Sequence, residues 1–223
     1  MLAVQNISRS MRNPNLIAGL LLVSSFLILL LALIILIASG GLPGFSASLQ
    51  GSLAKMAPYT SIFRRLELLW IVGWILQLMG FAMLTRLLLH TEEENLAIPA
   101  FIVGLIAAML GVLHGTFHMS VETWAAEEAV RTGNIPDIYQ PLEIWIGSTF
   151  RIAYWLQLAA VAGFGWGILL SKLLTPWVGW AAIGWSVLWL VGGMAGVGAP
   201  GLLFIMPAVI GAALLMKSRE KSV

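Results

Sequence analysis

The chain alternates long apolar segments with short polar ones, and six of the apolar segments are long enough to cross a lipid bilayer. They run over about residues 15–38, 66–89, 96–121, 146–171, 176–195 and 199–216. A membrane-spanning helix needs about 20 mainly apolar residues. Glycines and a proline at 192–201 separate the last two segments, in a region without any charge. The pattern predicts one all-α, polytopic transmembrane helix bundle of six spans over residues 1–223.

Two of the polar connections carry a helical pattern of their own. Residues 40–65 contain four apolar residues at helical spacing, namely Phe45, Leu49, Leu53 and Met56. That spacing predicts an amphipathic helix lying on the membrane surface. Residues 122–145 begin with ETWAAEEAVRTG, which predicts a helical extension ended by Gly133, and they continue with a turn-rich segment.

Composition gives the same picture as the pattern. The 223 residues are 60% hydrophobic and only 10% charged, whereas a soluble domain usually has about 25% charged residues. The mean hydropathy is +0.95, so we expect the lipid bilayer to be the main partner of this surface. A net charge of +2 without a basic run argues against a nucleic-acid partner. The absence of cysteine excludes disulfides and thiolate metal sites.

The lysines and arginines predict the orientation. With six spans, the side of the termini holds Arg9, Arg12, Arg86, Lys172, Lys217, Arg219 and Lys221. The other side holds Lys55, Arg64, Arg65, Arg131 and Arg151. Because cytoplasmic segments carry the excess of basic residues, both termini are predicted to be cytoplasmic in a multi-pass protein of the plasma membrane. The first span is longer than a cleavable signal segment of about 7–15 residues and is predicted to stay as an anchor.

The stretch LHGTFHMSV at 113–121 places two histidines four residues apart near the outer end of the third span. The rise of about 1.5 Å per residue brings ionisable groups of the second and fourth spans to the same level. The predicted polar cluster consists of His114, His118, Glu122, Arg64, Arg65, Glu67, Glu143, Arg151 and Tyr154. Ionisable groups near the membrane interior are costly and are therefore functional candidates. The alternative is a structural ion pair at the boundary, between Arg151 and Glu143 or Glu67.

Small residues on the third span predict where the histidines point. Ala107, Gly111 and Gly115 lie four residues apart, a spacing typical of close contact between membrane helices. At 100° per residue, position 114 lies about 60° from position 111. Both histidines are therefore predicted to face the bundle interior, close to Arg151 and to a carboxylate from another helix.

Histidines four residues apart share one helix face and can both bind a divalent metal. Glu122 lies about 12 Å along the helix from His114, so a third ligand must come from elsewhere. The candidates are Glu67, Glu127, Glu128 and Glu143. A haem with two histidine ligands lacks its second histidine at this depth, because His90 lies at the opposite face. A histidine–methionine haem stays open, with ten methionines in the chain.

Polar residues are scarce at the predicted middle of the membrane. Only Gln77 and Gln157 lie deep in the spans, and their amides can hydrogen-bond between helices. A proton or ion transporter therefore lacks the charged site expected near the midplane.

The segment GFGWGILLSKLLTPWVGWAAIGW at 163–185 contains a short cytoplasmic turn followed by Leu-Thr-Pro-Trp-x-Gly at the entry to the next helix. With Pro176, Trp177 and Gly179 at this entry, the chain resembles a family of uncharacterised bacterial six-helix membrane proteins grouped as a domain of unknown function. The resemblance implies a six-helix integral membrane fold. It brings no activity or site residues with it.

Three classes of function fit these observations. The first, which we expect, is a non-enzymatic membrane protein. It would be either an accessory subunit, with other membrane subunits or copies of itself as partners, or a binder of lipid or of a small apolar ligand. The second is a metalloprotein, haem protein or oxidoreductase with an outer-face His/Glu site. The third is a small-solute transporter. No P-loop or GxSxG motif occurs, and no catalytic residue is predicted.

Overall fold

The computed structural model describes residues 13–38, 49–89, 94–194 and 200–220, and every regular element within these ranges is helical. The helices are α1 (Pro14–Ala38), α2 (Leu49–Met56), α3 (Thr60–Leu88), α4 (Glu94–Phe117), α5 (Thr123–Thr132), α6 (Tyr139–Ser171), α7 (Pro176–Met194) and α8 (Ile205–Glu220). Short turns of other types lie at Ala57–Tyr59 (3-10), His118–Glu122 (π) and Pro200–Phe204 (3-10). Six helical segments are long and apolar enough to cross a membrane. The predicted all-α bundle of six spans is confirmed.

The long helices are arranged side by side around a shared apolar core. Helix α4 lies between α3 and α6, α1 packs against both α3 and α8, and α7 packs mainly against α6. The phenyl rings of Phe81 in α3 and Phe164 in α6 meet in this core with their centroids 4.8 Å apart. Both rings are fully buried, so α3 and α6 touch across the bundle.

The predicted stripe of small residues lies where α4 meets α3. A Cβ atom added at Gly111 would lie 2.3 Å from the indole ring of Trp74. One added at Gly115 would lie 2.9 Å from the Cγ1 atom of Ile71, and Ala107 is fully buried. Since only small residues permit this approach of two membrane helices, the stripe fixes which face of α4 turns inward.

A layer of short helices covers one end of the bundle, and we call it the cap. It consists of α2, α5 and the first turns of α6, packed around one apolar cluster. The members of that cluster are Leu53, Met56, Phe117, Ala125, Ala126, Ala129, Tyr139 and Ile146. Helix α2 lies within the segment predicted to be amphipathic, and its apolar side chains Leu53 and Met56 are buried in the cluster that it shares with α5. Its position on the membrane surface stays a prediction. Phe45, the first residue of the predicted amphipathic pattern, lies outside the described ranges.

Helices on this side extend beyond the apolar segments. Helix α3 begins at Thr60, not near residue 66, and α6 begins at Tyr139, not near residue 146. The extra turns bury side chains in the apolar cluster of the cap. As predicted, Gly133 ends α5 in the left-handed conformation, with φ of 77°.

Candidate functional site

The functional candidates gather where α4 leaves the bundle and enters the cap. The helix does not pass straight into α5, because residues His118–Glu122 form one π-helical turn. Such turns arise from one extra residue in the helical repeat and are frequent at functional sites. Across this turn, the Nδ1 atom of His118 contacts the carboxylate of Glu122. Each of the two side chains keeps 20% of its surface exposed, so the edge of the pair is open to the outside of the protein.

His114 lies one turn deeper and faces α6. Its ring stacks on that of Phe150, with centroids 4.2 Å apart and planes 25° apart. The ring of His118 meets it edge-on, also at 4.2 Å. The Nδ1 atom of His114 is buried and has no hydrogen-bond partner within the described part of the chain. Both histidines therefore face protein, as the small-residue stripe predicts.

Two carboxylates from other helices approach the same pair. Glu67 of α3 points at α4, with its Oε2 atom 3.5 Å from the position of a Cβ at Gly115. It interacts electrostatically with His118 and Glu122. Glu143 of α6 interacts with the same two residues. His118 and Glu122 of the π turn therefore lie close to Glu67 of α3 and Glu143 of α6. We call these four residues, together with His114, the His/Glu cluster.

The predicted arginines do not join the His/Glu cluster. Arg64 turns towards the cap, where it donates hydrogen bonds to Glu127 at 2.9 Å and to the hydroxyl of Thr123 at 3.1 Å. Arg65 and Arg151 are exposed, and neither forms an ion pair with another described residue. The structure therefore does not contain the alternative ion pair of Arg151 with Glu143 or Glu67. The carboxylates of the cluster outnumber its positive groups.

Tyr154 also lies elsewhere. Its side chain is buried, and its hydroxyl donates a long hydrogen bond of 3.4 Å to the carbonyl of Trp189 in α7. The tyrosine therefore stabilises the contact between α6 and α7. Its position one turn below Arg151 suggested a shared site, but the two side chains point to different neighbours.

The arrangement also bears on metal binding. Among the residues that the structure describes, no three His, Asp or Glu side chains are placed to hold one ion. Two of the four candidate third ligands are engaged in the cap, because Glu127 pairs with Arg64 and Glu128 pairs with Arg131. Glu67 and Glu143 remain as partners for the histidines. His90 lies outside the described ranges.

Aromatic rings connect the His/Glu cluster with the bundle interior. Phe150 lies between His114 and Trp70, whose ring centroid is 6.2 Å away. Trp70 in turn meets Trp74 at 6.3 Å and Phe204 at 5.5 Å. The sequence does not by itself reveal these rings as neighbours of the histidines. The one sequence signal for this contact is helical spacing, since Trp70 follows Glu67 by about one turn of α3.

The cap has one further feature on its outer surface. A shallow groove of about 460 Å³ is lined by Ala54, Ala57, Pro58, Glu127 and Val130. It opens widely to the outside and lies on the side of α5 that carries the Arg64–Glu127 pair. None of the residues of the His/Glu cluster lines it.

Comparison of the chain with family models, with curated proteins and with solved structures finds no match. The resemblance to the six-helix bacterial family, which depends on Pro176, Trp177 and Gly179, therefore stays a prediction. In the structure these three residues form the first turn of α7. There, Gly179 approaches the backbone of Gly165 in α6, and a Cβ at Gly179 would lie 2.6 Å from that carbonyl oxygen.

Proposed function

We propose that this chain is a non-enzymatic, multi-pass membrane protein that binds a cation in the His/Glu cluster, with the proton as its first occupant. The observation that carries the proposal is the imbalance of charge beneath the cap. Glu67, Glu122 and Glu143 all interact electrostatically with His118, whereas the nearby arginines point away.

Coulomb's law explains why this imbalance favours cation binding. One protonated histidine can offset one of the three carboxylates, which leaves two like charges close together in a half-buried site. Repulsion between such groups is stronger than in water because the effective dielectric constant is lower. A bound proton or a divalent cation removes that repulsion. Histidine is suited to this role because it titrates near neutral pH.

Cation binding in the cluster would also affect the cap. Glu67 and Glu143 belong to α3 and α6, and His118 and Glu122 belong to the π turn that leads into α5. A change in charge at His118 therefore acts on three helices at once. The phenol of Tyr139 in the cap interacts with Glu122 and Glu143 and faces the same charges. This coupling suits a sensor or an accessory subunit whose cap contacts another protein in the plasma membrane.

The second candidate function is binding of a divalent transition metal. It is favoured by the placement of His114 and His118 on one helix face with ring centroids 4.2 Å apart. A third ligand would have to come from a movement of Glu67, which already points between α3 and α4. The metal would replace the contact between His118 and Glu122.

One experiment tests both candidates. The protein is purified in mild detergent as wild type, His118→Ala and the control Glu127→Gln, which changes a carboxylate outside the cluster. Metal content and the absorption spectrum are recorded, and thermal unfolding is followed from pH 5 to pH 8. A pH-dependent stability that His118→Ala flattens, without bound metal, supports the proton. About one metal per chain that is lost only in His118→Ala supports the metal. Identical behaviour of all three proteins would refute both.

A further inference from the structure

Arg151 is a charged residue on an apolar outer surface of α6. Ile144, Ser148, Arg151 and Trp155 follow one another at intervals of three or four residues, so they share one face of the helix. All four side chains are exposed, and so is that of Ile152 beside them. Because α6 is long and apolar enough to cross a membrane, apolar side chains that point outward from it face lipid. Arg151 therefore lies on a lipid-facing surface.

Arg151 has no carboxylate partner within the described part of the chain. The stretches 39–48 and 195–199, which join helices at the cap end in chain order, contain no Asp or Glu that could supply one. Within α6, the acidic residue nearest to Arg151 in sequence is Glu143, about two turns away. Glu143 interacts with His118 and Glu122 instead. A guanidinium at a membrane surface needs a counter-charge, so the partner of Arg151 comes from outside the chain.

Helix geometry directs the side chain of Arg151 towards the cap end of the membrane. In an α-helix the Cα–Cβ bonds tilt towards the N-terminus, so a long side chain covers the turn before its own Cα atom. Helix α6 begins in the cap at Tyr139, and the turn before Arg151 contains Gly147 and Ser148. Arginine side chains in this position keep the stem along apolar surface and the charge at the membrane boundary. The guanidinium therefore lies nearer to the lipid headgroups than the Cα atom does.

The turn beside the guanidinium leaves space for a ligand. A Cβ atom added at Gly147 would meet no atom within 4 Å. The hydroxyl of Ser148 already donates a hydrogen bond of 2.9 Å to the carbonyl of Ile144, so the guanidinium is the main donor at this place. Since arginine carries five N–H donors and no acceptor, its partner must be an acceptor, and a negative charge strengthens the bonds.

The surroundings favour a lipid as the source of that anion. A guanidinium binds phosphate through two parallel hydrogen bonds, and every phospholipid carries a phosphate at the membrane boundary. A dissolved phosphate ion has the same chemistry but gains nothing from the apolar side chains around Arg151. An acyl chain does gain from them, because Ile152 is 49% exposed and Trp155 is 39% exposed. Exposed indole rings are also typical of the membrane boundary.

We propose that Arg151 binds the phosphate of one phospholipid on the cap side of the membrane. The phosphate lies beside Gly147, and an acyl chain runs along Ile152 and Trp155 away from the cap. This site goes beyond the cation proposal, and none of the residues of the His/Glu cluster belongs to it.

The test uses the full chain in mild detergent, titrated with palmitoyl-oleoyl phosphatidylglycerol and followed by native mass spectrometry. In Arg151→Ala we expect a Kd that is roughly tenfold weaker than that of wild type, because charge-assisted hydrogen bonds are lost. The matched control is Arg64→Ala, which removes an arginine that already has Glu127 as its partner, and it should bind the lipid like wild type. In detergent without phospholipid, Arg151→Ala should melt like wild type, which shows that it is folded.

A second variant tests the site while Arg151 stays in place. Gly147→Glu puts a carboxylate four residues before the arginine, in the order that pairs best on a helix. The new side chain has room and replaces the phosphate as partner, so the Kd should again be roughly tenfold weaker. Gly147→Gln adds nearly the same volume without the charge and should bind like wild type.

Three results would overturn the inference. The first is an equal Kd in wild type, Arg151→Ala and Gly147→Glu. The second is equal affinity for palmitoyl-oleoyl glycerol, which has the same chains without a phosphate. The third is displacement of the lipid by inorganic phosphate at equal concentration, because the site would then prefer the dissolved ion. His118→Ala should keep the lipid Kd of wild type, so failure of the cation proposal leaves this test intact.

Discussion

The two polar regions of this protein differ in both chemistry and depth. The His/Glu cluster beneath the cap contains ionisable groups, and its central pair of His118 and Glu122 is partly exposed. Deeper in the bundle, the polar side chains of Gln77 and Gln157 are neutral, and both are buried. The difference follows from the free energy of transfer, because an ion in hydrocarbon costs far more than an amide. Charged groups therefore lie at the rim of the bundle, and neutral polar groups lie in its interior.

The interior should respond most strongly to added volume. Gly111→Leu places a branched side chain where even a Cβ would lie 2.3 Å from the indole of Trp74. We expect a loss of about 3 kcal/mol of stability or more, since α3 and α4 must move apart. Thermal unfolding in detergent measures it. The control is Gly147→Ala, which meets no atom within 4 Å. An unchanged melting temperature in Gly111→Leu would contradict the close packing of α3 on α4.

The His/Glu cluster should respond to charge more than to volume. His118→Ala removes the ring that contacts Glu122, and we expect a loss of about 2 kcal/mol, typical of a hydrogen bond to a charged group. The loss should be largest near pH 5 to 6, where histidine is ordinarily protonated and glutamate ionised. The difference should shrink only when the pH is high enough to remove the proton from His118 in the folded protein. Unfolding curves across this pH range measure the effect, and a constant difference would contradict a charged pair.

The end of α5 should be sensitive to its backbone conformation. Gly133→Ala puts a side chain on a residue with φ of 77°, which costs about 1 kcal/mol for an L-residue. There is room for the methyl group, since no atom lies within 4 Å of its position. The measured loss therefore isolates backbone strain from crowding. Limited proteolysis after residue 132 reports this loss of stability. Gly133→Asn should lose less stability than Gly133→Ala.

The exposed ion pair of the cap should matter least. Arg64→Ala removes its bond to Glu127, and both side chains are about half exposed. Pairs of this kind contribute about 0.2–1 kcal/mol, and salt weakens them further. Arg151→Ala is the matched change at an arginine without an ion pair among the described residues. At low salt the melting temperature of Arg64→Ala should be below that of Arg151→Ala. At high salt the two melting temperatures should be the same. A large loss in Arg64→Ala would place the pair among the essential contacts of the cap.

The sequence identifies the six spans because each needs about 20 apolar residues, a strong signal. It predicts the inward direction of His114 because Gly111 and Gly115 mark the packed face of α4. The start of α3 at Thr60 is harder to predict, since its first turns depend on the packing of the cap.

The rest of the site depends on contacts between helices. Arg151 shares the depth of the histidines, but depth does not tell towards which neighbour a side chain turns, and the structure leaves it exposed. The π turn has no residue pattern that distinguishes it from an α-helix. The orientation of the termini in the plasma membrane likewise stays a prediction from the lysine and arginine distribution.

The π turn has a consequence for how this chain can change over time. One extra residue within His118–Glu122 rotates everything after it by about 100° relative to an uninterrupted α-helix. The apolar face of α5, formed by Ala125, Ala126 and Ala129, meets α2 only with that rotation. Deletion of one residue from this turn would rotate the apolar face of α5 away from α2. Many substitutions at the same positions would leave the rotation of α5 unchanged. The number of residues between α4 and the cap is therefore under stronger constraint than the type of residue at each position.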